Sequence, residues 1–352
     1  MTGLSGPALI AVFVAAAVVT WLAGISLTRS TDALDDRLGL GEALGGLILL
    51  SLAGTLPELA ITVAAVVQGN LDLAAGNLIG GIAIQTLVLA ACDRAVLADH
   101  PLSYLVGSLV PVLEGLLVIS VVGILLLGVM LPPTLSIGPF SPASIGIVIA
   151  WLIGLAIVVR VRRGEPWEVR MPGSRPGRRH VREPMPPVRR KPFQGVSTGR
   201  VILAFVAASM VTLVAGVALE MSGDQLARDA GIDGVVFGAT FLAAATALPE
   251  ISSGIAAVRL GDHQLAMSDI FGGNAFQLCL FLLADLLAGK PVLPAAGIAN
   301  TWLGTLGIVM TVVYVAAVII RPRRRHLGFG IDSLAAALVF ILGIVGLTRI
   351  AG

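Results

Sequence analysis

Charge is scarce in this sequence. Asp, Glu, Lys and Arg make up 12% of its 352 residues, against 57% hydrophobic, and the mean hydropathy is +0.96. A water-soluble chain of this length needs a far more polar surface, so a soluble globular fold is excluded and the bilayer is the solvent. Cysteine is limited to Cys92 and Cys279, both in apolar runs, which excludes a disulfide framework and a thiolate metal site. The four histidines (His100, His180, His263, His326) lie in or beside polar connections, and no two share ligand spacing. A basic leader is lacking too. The apolar run from Pro7 to Leu27 is longer than the core of a signal peptide and has no Lys or Arg before it, so it reads as a first membrane span.

What is present is a series of long apolar segments. A span takes about 20 apolar residues, and that rule predicts ten, over 6–28, 41–67, 71–92, 103–131, 142–161, 200–221, 234–258, 263–288, 293–320 and 330–350. The expected fold class is all-α integral membrane: ten transmembrane helices as two inverted five-helix repeats, with broken helices at the midplane. The domain plan is 1–161 for the first five spans, 162–199 for a Pro- and Arg-rich linker, and 200–352 for the second five. Placing the linker in the cytoplasm puts every Lys and Arg on that side or at its edge except Arg228, Lys290 and Arg349. Both termini are then extracytoplasmic, in a multi-pass protein of the cell membrane. The basic residues interrupt apolar segments, which argues for membrane lipids as partners and against nucleic acid.

The segment around Leu56-Pro57-Glu58 occurs twice. Aligning Glu58 with Glu250, 192 positions on, gives a match without gaps from Ala53 to Asp93 and from Ala245 to Asp285. Leu and Ala would coincide by chance in two membrane segments. The pairs Pro57/Pro249, Glu58/Glu250, Gly80/Gly272, Gly81/Gly273, Gln85/Gln277 and Asp93/Asp285 would not. Five spans per half is an odd number, so the second copy enters the membrane from the opposite side. Such inverted repeats place substrate sites near the midplane, where discontinuous helices meet. Pro57 and Pro249 supply the interruptions, each removing a backbone donor, and Gly54 loosens the first helix further.

A carboxylate near the middle of a span costs several kcal/mol and marks function. Two of them facing across a pseudo-two-fold cannot both stay ionised without a compensating cation or proton. That is the chemistry of an antiporter, with a divalent ion serving both carboxylates and Na⁺ or H⁺ serving them singly. Oxygen ligands alone favour hard cations. Thr55 and Thr246, just before the glutamates, offer a hydroxyl or carbonyl oxygen, or bond their own helices. Asn77 and Asp269 follow each Glu by 19 positions, and Gln85 and Gln277 by 27. The Gly pairs 80–81 and 272–273 suit close helix approach more than backbone ligation. Asp93 and Asp285, near span ends, are expected to be solvated or interfacial. Glu114, a mid-span acid with no repeat counterpart, is expected to pair with a nearby polar group.

Ala53-Gly54-Thr55-Leu56-Pro57-Glu58 and Ala245-Thr246-Ala247-Leu248-Pro249-Glu250 resemble the Gly-Thr-Ser-Leu-Pro-Glu signature of the Ca²⁺/cation antiporter superfamily. Gly76-Asn77 through Gly81 and Ser268-Asp269 through Gly273 resemble its next element. The resemblance implies alternating access, with Ca²⁺ exported against Na⁺ or H⁺ and no cofactor. It also implies Glu58 and Glu250 as the chief ligands. The family's hydroxyl positions fall on Gly54 and Thr55 in one repeat and on Thr246 and Ala247 in the other, so each repeat keeps one hydroxyl. Its Ser falls on Gly81 and Gly273, and its Asn or Asp on Gln85 and Gln277, a departure that leaves the coupling ion open. Other readings are an antiporter for another cation, a non-transporting or regulatory member, and a membrane-embedded hydrolase. The hydrolase lacks a His, Cys or second acid at workable spacing near Glu58. The chain is read as no enzyme, and its oligomeric state is left open.

Overall fold

The computed structural model describes residues 5–38, 53–164, 193 and 195–351. Within them the regular structure is helical apart from one short antiparallel hairpin, β1 (Arg325–His326) with β2 (Phe329–Gly330), and an isolated bridge between Ile137 and Phe140. The first half holds α1 (Gly6–Leu38), α2 (Leu56–Gln68), α3 (Leu71–Ala95), the single turn α4 (Leu102–Leu105), α5 (Val110–Val129) and α6 (Pro142–Gly164). The second holds α7 (Thr198–Ala230), α8 (Gly234–Thr246), α9 (Leu248–Arg259), α10 (His263–Gln277), α11 (Leu280–Ala288), α12 (Gly297–Ile320) and α13 (Ile331–Ala351).

Eight helical segments among the described residues are long and apolar enough to cross a membrane. There are nine if α8 and α9, which meet at a 46° bend, form one broken span. The expected span over 41–67 is described only from residue 53, where α2 is a shorter apolar helix; 41–52 and most of the 162–199 linker lie outside the described residues. The span expected over 103–131 is shorter, because the chain leaves the helix after Leu105 and restarts at Val110, with Pro111 in the first turn, where its missing N–H costs nothing. The fifth runs past 161 to Gly164 and so takes Arg162 into α6.

The duplication extends well beyond the matching motifs. α1 and α7 start at residues 6 and 198, α2 and α9 at 56 and 248, and α3 and α10 at 71 and 263, each pair 192 apart. α2 and α9 also close alike. Gly69 (φ 78°) and Gly261 (φ 80°) take left-handed turns that a side chain would strain, and the next amide, of Asn70 or Asp262, reaches back to the Ala65 or Ala257 carbonyl. Counterparts also touch each other: α1 packs along α7, Gln85 bonds Gln277, and Asn274 donates to the Ile82 carbonyl.

α3 and α10 form the centre of this arrangement. α3 is almost wholly buried, whereas α1, α6, α7 and α13 turn Leu22, Ile153, Leu203 and Leu342 outward, as lipid-facing helices do. Close approach explains one glycine of the first pair. A Cβ on Gly80 would sit 2.4 Å from the Ala239 Cα, where α8 makes a single π turn over Gly238–Leu242.

Asp93 and Asp285 are not solvated; both are fully buried. Asp93 accepts from the Leu102 amide (2.7 Å), the Gly330 amide (2.5 Å) and the Ser333 hydroxyl (2.9 Å). Asp285 accepts from the Ser141 amide (2.8 Å) and the Val292 amide (2.7 Å). At these span ends the chain folds back over the carboxylate and offers it backbone donors that would otherwise be orphaned.

Candidate cation-binding site

The helix breaks place the carboxylates. At Thr55 (φ −89°, ψ 8°) and Ala247 (φ −79°, ψ −1°) the backbone leaves one helix and begins the next. The carbonyls of these two residues accept from Leu59 and Ile251 at 2.9 and 3.1 Å, opening α2 and α9 in the same way. Pro57 and Pro249 take second positions, where the amide would be unpaired in any case. Glu58 and Glu250 follow in the first turn, near the positive end of the helix dipole.

α3 and α10 bring the remaining groups. Residues 77, 81 and 85, and likewise 269, 273 and 277, are spaced four apart and share one helix face. Glu58 is 1% exposed and accepts from Gln85 Nε2 at 3.1 Å through Oε1. The same Nε2 lies 3.1 Å from Gln277 Oε1, and Gln277 Nε2 donates to the Leu78 carbonyl at 2.7 Å. Thr246 lies beside the Glu58 carboxylate while donating to the Ala243 carbonyl at 3.1 Å. On the other side, Glu250 (9% exposed) faces the first break: a Cβ on Gly54 would lie 3.7 Å from its Oε1. Each glutamate therefore meets the broken helix of the opposite copy. Glu250 has Glu58 and Asp269 as its acidic neighbours. Oε2 of Glu58 and Oε2 of Glu250 are buried without a hydrogen-bond partner, a costly state for carboxylate oxygens unless a cation or proton meets them.

The secondary candidates separate. Asn77 is fully buried with both amide atoms unpaired. Asp269 accepts from Ser253 (2.9 Å), whose hydroxyl also lies 3.2 Å from the Glu250 carbonyl. Thr55 is buried at the first break, and Ala247 contributes backbone at the second. Gly81 lies under the Gln277 amide and Gly273 opens toward Gln85. Sequence reasoning missed Ser253 and Asn274, whose counterparts are Ile61 and Ile82, so the repeat offered no signal for either. Asn274 also donates to the Thr86 hydroxyl at 3.1 Å.

Glu114 lies apart from the pair and forms an ion pair with Arg162 at 3.0 Å, the carboxylate 2% exposed and the guanidinium side chain 20%. Removing one partner leaves a buried charge unmatched. Arg162→Met is expected to lower the thermal midpoint in detergent by an amount worth about 2 kcal/mol, since water still reaches the guanidinium. Combining it with Glu114→Gln should recover part of the loss. A double variant no more stable than the single one would contradict the pairing.

Three comparisons bear on this geometry. The family model described as sodium/calcium exchanger protein matches residues 8–161 and 200–349. The Escherichia coli (strain K12) inner membrane protein YrbG is 26% identical over 259 residues, 73% of this chain and 72% of that protein. The putative antiporter CaxA of Alkalimonas amylolytica is 23% identical over 261 residues, 74% of each. Among solved structures, the crystal structure of the H⁺/Ca²⁺ exchanger CAX superposes with a TM-score of 0.67 at 18% identity, covering 97% of this chain and 82% of that one. That likeness speaks to the fold alone, whereas the family model spans both copies of the duplicated unit. The chain belongs to the sodium/calcium exchanger protein family.

Proposed function

We propose that this protein is a secondary active antiporter that exports Ca²⁺ in exchange for Na⁺ or H⁺, by alternating access of a site between Glu58 and Glu250. One observation carries the reading: two buried carboxylates, brought from equivalent broken helices, each keep an oxygen with no hydrogen-bond partner. Ca²⁺ takes 6–8 oxygens at roughly 2.3–2.6 Å. The two carboxylates, the Thr55 and Thr246 oxygens, the carbonyls freed at the breaks and the Gln85 amide form a set of that size and hardness. Asn77 and Asp269 flank it as secondary candidates.

The 192-residue offset supports an inverted arrangement. Residues 1–161 and 200–352 are the two five-span units, and 162–199 links them on the cytoplasmic side. An odd number of spans per unit reverses the second relative to the first, so the units offer the same site to opposite faces in turn. The tenth span in this proposal includes 41–52. Relatives named as exchangers and antiporters support cation antiport as the class of activity.

The test uses the full chain in proteoliposomes loaded with buffer, with ⁴⁵Ca²⁺ outside. An imposed Na⁺ gradient and, separately, an imposed pH gradient are expected to give uptake under one of the two, and that result names the coupling ion. Absence of ⁴⁵Ca²⁺ movement under either gradient would sink Ca²⁺ antiport.

A further inference from the structure

Gln277 sits in the middle of the site, yet both ends of its amide are occupied by protein. Nε2 donates to the Leu78 carbonyl at 2.7 Å, and Oε1 receives Gln85 Nε2 at 3.1 Å. Its place is kept by Gly81, since a Cβ there would come within 3.1 Å of Gln277 Nε2. These contacts all cross from the second copy to the first. Gln85 is oriented in turn. Its NH₂ group bridges Glu58 Oε1 and Gln277 Oε1, both at 3.1 Å, and the opposite rotamer would set its oxygen against two oxygens.

A cation reverses that preference. An ion on Glu58 repels the NH₂ group and attracts the amide oxygen, so Gln85 joins the ion only by turning over. Turning takes the same NH₂ group from Glu58 and from Gln277 together. We propose that Gln277 is a positioning residue, not a cation ligand: seated against Gly81, it latches the two repeats through Gln85 in the cation-free site, and cation entry releases the latch. The inference rests on the antiport reading above.

A ligand and a latch respond oppositely to removal. Loss of a ligand weakens cation binding. Loss of a latch strengthens it, because the ion no longer breaks the Gln85–Gln277 bond. We expect Gln277→Leu, close in size, and Gln277→Ala to tighten equilibrium ⁴⁵Ca²⁺ binding to the purified full-length protein by about fivefold, the worth of one net hydrogen bond. Gly81→Ala, whose Cβ makes the amide give by a few tenths of an ångström, should shift binding the same way by a smaller factor, and should add nothing once Gln277 is Ala. A purely structural role would move thermal midpoints without tightening binding, so midpoints are recorded alongside. Weaker or unchanged binding in both Gln277 variants overturns the proposal, as does a Gly81→Ala effect that persists without Gln277. Wild-type protein that binds no ⁴⁵Ca²⁺ would instead bring down the antiport reading, and the latch with it.

Discussion

Glu58→Gln and Glu250→Gln are each expected to reduce ⁴⁵Ca²⁺ exchange in proteoliposomes to the background of empty vesicles. The size of the effect follows from burial. Both side chains are shielded from water, so a divalent ion held between them has little solvent to replace a lost charge. A weakening of about 4 kcal/mol corresponds to roughly a thousandfold in affinity, which takes binding out of any working range. Gln is nearly the same size as Glu, so the fold should hold and the protein should elute as wild type. Each variant is also expected to lose binding by itself, because each glutamate faces the break in the opposite copy and the glutamate left behind cannot reach both sides of the ion. The Glu58 variant has a further consequence. Gln85 Nε2 no longer has a charged acceptor, so the bridge to Gln277 weakens as well. Transport retained at even a tenth of the wild-type rate in either variant would refute the site.

The parts legible in the sequence were those whose chemistry the bilayer makes expensive. Pro57, Glu58, Gly81 and Gln85 recur at 192 positions because few other residues serve a broken helix with a polar site inside a membrane. The same duplication in α1 and α7 was illegible, although their first residues keep that offset. Their outward faces need only be apolar, and many apolar residues are interchangeable against lipid. Hydropathy located the long spans but could not see that α2 has only 13 helical residues beyond its break. The Gln277–Gly81 contact was out of reach for another reason. A side chain from one copy fills the space left by a missing side chain in the other, and a pattern read along one strand of sequence carries no trace of that pairing. By sequence Arg162 belongs to the linker, because basic residues crowd the span end, while the structure gives it Glu114 as a partner.

Asp93 and Asp285 carry the second large effect, one on stability instead of transport. Position near a span end suggested water, but each carboxylate is a post to which a returning chain is tied. Asp93 holds the turn before α4 through the Leu102 amide and the start of α13 through Gly330 and Ser333. Asp285 holds the start of α6 through Ser141 and the connection into α12 through Val292. Ser141 and Ser333 are themselves 192 apart, so each Asp ties its own repeat's central helix to the last helix of the opposite repeat. Asp93→Ala would leave three buried donors without an acceptor, at about 1–3 kcal/mol each. We expect a loss of about 4 kcal/mol, seen as the largest fall in thermal midpoint among the variants considered, with Asp285→Ala close behind. Asp93→Asn should fall between, because it keeps one oxygen but sets an NH₂ group against an amide donor. Ca²⁺ affinity of whatever protein remains folded should stay near wild type, since neither Asp is placed among the cation ligands. A midpoint unchanged in Asp93→Ala would show that the turn is held by other contacts. A large loss of affinity at an unchanged midpoint would move Asp93 from the scaffold into the ion path.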